Sequence, residues 1–165
     1  MKRILFTCFL LTSVCLFSQN DDKPNFWDNV QFGGGLGLSF SNNYTTIAIA
    51  PSAVYNFNQY FAAGPGLSYL YAKNRDLNLK SNVFGAGLIT LFNPIQNLQL
   101  SAEYEHLFVN QKQGFDKFSF DYPALYAGLA YRVGNFSAGL RYDILYNADK
   151  TIYASAFSPI FRFYF

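Results

Sequence analysis

From Val30 to Phe165 apolar and polar residues alternate with a period of two, in runs separated by clusters of Asn, Asp, Gly and Lys. Successive side chains of a strand point to opposite faces, so this pattern predicts strands with two different sides. No window after Pro24 sustains the 3.6-residue spacing of an amphipathic helix. The runs predict strands near residues 30–40, 45–57, 60–72, 81–92, 98–109, 122–133, 136–146 and 152–165. Eight strands can close into a barrel, which leaves no free sheet edge.

The connections alternate in length. Those at 58–59, 93–97 and 134–135 have the size of tight turns, whereas 73–80, 110–121 and 147–151 are longer and polar; only 41–44 breaks the contrast. Short turns at one end and longer loops at the other are the arrangement of outer-membrane barrels, with the turns in the periplasm.

A Gly-Leu dipeptide then separates the two faces. It occurs at Gly35-Leu36, Gly37-Leu38, Gly66-Leu67, Gly87-Leu88, Gly128-Leu129 and Gly139-Leu140, in five of the strands, with Gly on one face and Leu on the other. The Leu face is apolar with aromatics towards its ends, and the Gly face is small or polar. Glu103, Glu105, Arg132, Arg141, Asp143 and Arg162 all share the Gly face. A soluble barrel of lipocalin type would line its cavity with apolar groups and face water with charges. Here the parity is reversed, so lipid is the better solvent for the Leu face. Strand four fits least well, because Val83, Ile89 and Leu91 fall on the inward side and Thr90 on the outward side.

Composition agrees: charged residues make up 13% of the chain and aromatics 20%, where a soluble domain carries about 25% charged. Lys2 and Arg3 precede an apolar run of about 14 residues ending at Phe17, then Ser18, and polar Gln19 to Asp22 follow at once. The run is too short for a spanning helix, which requires about 20 residues, and reads as a secretory signal cleaved after Ser18. The expected organisation is a signal peptide at 1–18, a periplasmic segment at 19–29 and a barrel at 30–165. A lipid anchor at Cys15 is the alternative, but Thr12, Ser13 and Val14 are a poor context for it. Cleavage removes Cys8, Cys15 and two of the 12 basic residues, leaving ten against ten acids. The mature chain then has no thiol ligand, no metal centre or cofactor is expected, and there is no basic surplus to bind nucleic acid.

Three features could carry chemistry. Gly33-Gly34-Gly35-Leu36-Gly37 has the look of a phosphate loop, but that motif needs a helix N-terminus after it, and a strand continues here. Inward glycines instead give room to Tyr and Arg from neighbouring strands. Glu103 and Glu105 lie roughly 7 Å apart on one face, a spacing open to paired-carboxylate catalysis. With three arginines and Asp143 on that face, a structural ion network is the expected reading, with the six charges cancelling. His106, the only histidine, faces outward near the outer rim, where an outer-membrane lipid-modifying enzyme would work. Both nearby glutamates point away from it, so an interfacial aromatic belt is its expected home. Phe26 and Trp27 read as membrane-interface anchors.

The last strand carries Phe157, Pro159, Phe161, Phe163 and Phe165 on alternate residues. Phe161, Phe163 and Phe165 resemble the C-terminal signal by which the barrel-assembly machinery recognises outer-membrane barrels. With the signal peptide and the Gly-Leu strands, the chain resembles the small OmpA-like and OmpX-like families. That resemblance implies an all-β, eight-stranded antiparallel up-and-down transmembrane barrel in the outer membrane of a Gram-negative bacterium. Its partners would be membrane lipid and the assembly machinery. The segment Asp22-Lys23-Pro24-Asn25-Phe26-Trp27-Asp28, with Gly33 to Phe40, also resembles a narrower family of exported proteins, some labelled α-ketoglutarate decarboxylase. That label implies a thiamine-diphosphate enzyme, and this sequence has neither the length nor a diphosphate-binding motif for one. The expected role is a non-enzymatic scaffold or a presenter of surface loops. A narrow channel and a lipid-modifying enzyme are the alternatives.

Overall fold

The computed structural model describes residues 25–40, 44–75, 79–114, 116–147, 151, 153 and 155–165. The signal peptide, Cys8, Cys15 and the segment 19–24 lie outside the described residues. A short 3-10 turn, Phe26–Asn29, leads into eight strands: β1 Val30–Phe40, β2 Tyr44–Asn56, β3 Phe61–Asn74, β4 Leu79–Ile95, β5 Leu98–Gln113, β6 Asp116–Val133, β7 Phe136–Asp143 and β8 Phe157–Tyr164. Each pairs antiparallel with the next, and β8 pairs with β1, so the sheet is a closed up-and-down barrel.

Two connections differ most from those the alternation predicts, each for a physical reason. The stretch 110–121 is largely strand, because β5 and β6 remain in register from Asn110↔Ser119 to Gln113↔Asp116. The β6 side keeps its alternation through Phe118 and Phe120, but the β5 side, Asn110 to Gln113, is polar throughout, so the two-sided pattern that signals a strand disappears there. Conversely, β7 ends at Asp143 and β8 begins only at Phe157. The Asp143 carboxylate accepts from the backbone N–H of Leu145 at 3.0 Å and of Leu125 at 3.3 Å, which turns the chain out of the ladder. Tyr153 packs with Ala48 against the core, and Tyr122 and Thr151 hydroxyls meet at 3.2 Å. Burial pushes the Tyr153 phenol above its usual range, so it stays protonated.

Outward residues form an apolar band between two aromatic belts. Phe32, Phe61, Phe92, Tyr131, Phe136 and Phe163 are exposed at the short-turn end, and Phe84, Tyr104, Phe108, Tyr142 and Phe157 at the long-loop end. Leu36, Leu67, Leu88, Leu129 and Leu140 are exposed between them. Among the described residues no Asp, Glu, Lys or Arg faces outward between the belts. Along β5 the band runs from Leu98 to Phe108, about 33 Å of strand and about 25 Å of axial height at a tilt of about 40°.

The lumen is filled in layers. At the short-turn end Val54, Ala62, Ile89, Leu91 and Tyr164 pack together, beside a polar chain in which Ser137 donates to Gln99 and Gln99 to Asn93. At the long-loop end Leu70, Val83, Leu107, Val109, Tyr122 and Tyr126 form a second apolar cluster. Val83, Ile89 and Leu91 of β4 thus supply both plugs, and Thr90 on the outer side satisfies itself by donating to Ala102 O at 3.0 Å. A charged layer lies between the plugs.

Candidate ligand cavity and charged layer

Glu103, on β5, is the centre of that layer. Arg141 donates to its Oε2 at 2.9 Å, and Arg162 donates to its Oε1, while Ser101 donates to the same Oε1 at 3.1 Å. Period-two geometry sends all three side chains inward from β5, β7 and β8, and the lumen is narrow enough for them to meet. The Arg141 guanidinium also lies over the Tyr126 ring, 3.9 Å from its centroid, a cation–π contact. Nη1 of Arg162 and the hydroxyl of Tyr126 are buried without a hydrogen-bond partner.

The other acids sit at the edges of this layer. Glu105 is two residues above Glu103 and has no ion-pair partner among the described residues. Asp143 serves the backbone amides of Leu125 and Leu145. Arg132 requires a correction: it stands at the short-turn mouth, where its Nε donates to Gly134 O at 2.9 Å, and it does not join the network. Its register one pair from the β6–β7 turn puts it within reach of the turn carbonyl. The lumen therefore holds three acids and two bases, so its formal charges do not cancel.

Two walls face each other across the charged layer. Gly35 and Gly37 of β1, Ala48 and Ala50 of β2 and Gly66 of β3 leave a cavity of about 120 Å³ against Glu103, Glu105, Arg141 and Arg162. The glycines split by what surrounds them. A methyl group on Gly85 would meet Leu107 Cδ2 at 2.8 Å and one on Gly128 would meet Ile160 Cδ1 at 3.0 Å, so these do make room for neighbours. One on Gly66 would touch only Ser52 Cβ at 3.6 Å and Pro51 O at 3.9 Å, so Gly66 fronts open space.

On the outside, His106 Nε2 lies 2.7 Å from Asp121 Oδ2, and its ring packs against Phe108 at 5.0 Å. Sequence reasoning considered only the glutamates beside His106. Asp121 is 15 residues away and comes into reach through the β5–β6 register, which places it opposite Phe108. Ser119, on the same face, donates to Asn110 at 2.8 Å and does not engage the histidine. The pair is exposed at the belt of the long-loop end, and among the described residues Asp121 is the hydrogen-bond partner of the histidine. At the opposite end Phe26 stacks on Tyr55 at 4.8 Å and meets Trp27 edge-on at 5.5 Å, with both rings of the Phe26–Trp27 pair exposed. Asn25 and Asp28 cap this turn reciprocally. Phe161, Phe163 and Phe165 all face outward, and Phe165 exchanges two backbone hydrogen bonds with Phe32, at 2.9 and 3.1 Å, which closes the seam.

No family model and no curated protein matches this chain.

Proposed function

We propose that this chain is an integral outer-membrane barrel that acts as a non-enzymatic scaffold and presents the connections of its long-loop end at the cell surface. The observation that carries the reading is the inverted polarity of the barrel. A charge-free outer band of about 25 Å flanked by aromatic belts suits a bilayer, and charges paired inside suit a lumen. Membrane lipid would be its main partner, and the alternating aromatics of β8 would present the chain to the barrel-assembly machinery. Two apolar plugs and the inward-folded Tyr153 weigh against a channel, because an aqueous path would have to cross both. The His106–Asp121 pair is the one observation that favours a lipid-modifying enzyme, and it is weighed against by Ser119, the serine on the same face among the described residues, which donates to Asn110 and not to the histidine.

The test is fractionation of cells expressing the whole chain. The protein is expected in the outer-membrane fraction and is expected to migrate differently on a denaturing gel before and after boiling, because a closed barrel resists detergent. Recovery in the soluble periplasm would overturn the reading.

A further inference from the structure

The seam between β1 and β8 is paired only at its lower end. Gly33, Gly34 and Gly35 face Tyr164, Phe163 and Arg162 in register, and among the described residues the pairing stops there. Above the last pair Leu36 and Gly37 are in register with β2, and Ile160 and Phe161 with β7. Pro159 just above has no N–H to offer. A methyl group on Gly33, within the paired part, would strike Phe163 O at 2.1 Å. The wall therefore opens upward from Arg162, at the level of the charged layer.

Both sides of this opening are built to receive something. Inside lies the cavity of about 120 Å³, onto which Leu36, Pro159 and Phe161 at the seam also border. Outside, an apolar groove of about 770 Å³ crosses β8 to β3 over Gly34, Pro51, Ala53 and Pro65, and it shares Gly35 and Leu36 with the cavity. We infer that the opening admits a long-chain fatty acid from the bilayer, with its carboxyl group in the cavity and its chain in the outer groove.

The chemistry of the cavity selects this head group. Its four charged residues cancel, so a ligand that adds a net charge to so small a low-dielectric space is disfavoured. A carboxylic acid enters neutral. Its O–H can donate to Glu105, which has no cation of its own, and its carbonyl can accept from Arg141. Glu103 occupies Nη1 of that guanidinium, and the Arg141 side chain keeps 20% of its surface accessible. A phosphodiester stays anionic and would stand unbalanced beside Glu105. The inference rests on the membrane reading for the source of the ligand, but it can fail separately.

The experiment uses the purified barrel in detergent micelles and oleic acid labelled with carbon-13 at the carboxyl group. A bound carboxyl resonance distinct from that of micellar oleate is expected. Gly66→Leu, which fills the cavity from the uncharged wall, should weaken binding at least tenfold. Glu105→Gln, nearly the same shape, should also weaken it, and it decides the matter if Gly66→Leu fails to give a heat-modifiable barrel. Equal binding by wild type and variants, or no distinct resonance from a barrel that remains heat-modifiable, would overturn the inference and leave the membrane reading untouched. Displacement of oleate by phosphatidylglycerol at equal concentration would overturn the carboxyl assignment.

Discussion

The side of the barrel made by β4, β5 and β6 and the side made by β7, β8 and β1 close the same sheet in different ways. On the first side the strands have 17, 16 and 18 residues, and the β5–β6 ladder is unbroken from Leu98↔Tyr131 to Gln113↔Asp116. On the second, β7 and β8 have eight residues each and β8 meets β1 over three pairs and the Phe32–Phe165 exchange. The long side holds itself by backbone hydrogen bonds and by the apolar side chains of both plugs. The short side is tied across the lumen by side chains, since Arg141 of β7 and Arg162 of β8 both end on Glu103 of β5. What the comparison teaches is that the ion cluster acts as a strut, supplying the restraint that a short ladder lacks.

The strut gives the largest expected effect. Glu103→Leu leaves two arginines in the lumen without their carboxylate and should destabilise the barrel by about 3–5 kcal/mol. Arg132→Leu, at the mouth and bonded only to a turn carbonyl, should cost less than about 1 kcal/mol. Urea titration of the protein folded into lipid vesicles measures both. Similar losses for the two would mean that position in the lumen does not matter.

The seam gives the next effect, and it separates the closed part from the open part. At Gly33 any β-carbon meets backbone, so Gly33→Ala should cost about 1–3 kcal/mol by forcing β1 from β8. At Gly37 the new methyl group would lie 3.4 Å from Ala48 Cβ and clear of β8, so Gly37→Ala should be neutral or stabilising by up to about 1 kcal/mol. The same titration reads both, and equal losses at the two glycines would mean that the close backbone of β8 does not set the cost at Gly33.

Much of this was legible in the sequence because a barrel wall is a period-two object. Strand number, antiparallel order and the inward parity of Glu103, Arg141 and Arg162 follow from alternation alone, as does the outward parity of the leucines. What alternation cannot carry is height along the barrel and register across it. Arg132 and Arg141 have the same inward parity, yet one sits at the mouth and the other at mid-lumen, because β6 and β7 run oppositely from a shared turn. The His106–Asp121 pair depends on cross-strand register, and the early end of β7 on a side-chain contact from Asp143 to Leu125. The inward apolar residues of β4 look misplaced until the plugs are seen, since lumen packing leaves no periodic trace distinct from lipid packing.

The account stands on which face meets lipid, and one fluorescence measurement tests that directly. In the protein carrying Trp27→Phe and Leu88→Trp, the new indole is the only one and replaces an outward residue midway between the belts, at a position 61% exposed. Reconstituted in vesicles of brominated phosphatidylcholine, its emission should be strongly quenched relative to the unbrominated lipid, and iodide in the buffer should have little effect. Quenching by iodide with none from the brominated chains would place the leucine face in water and contradict the account.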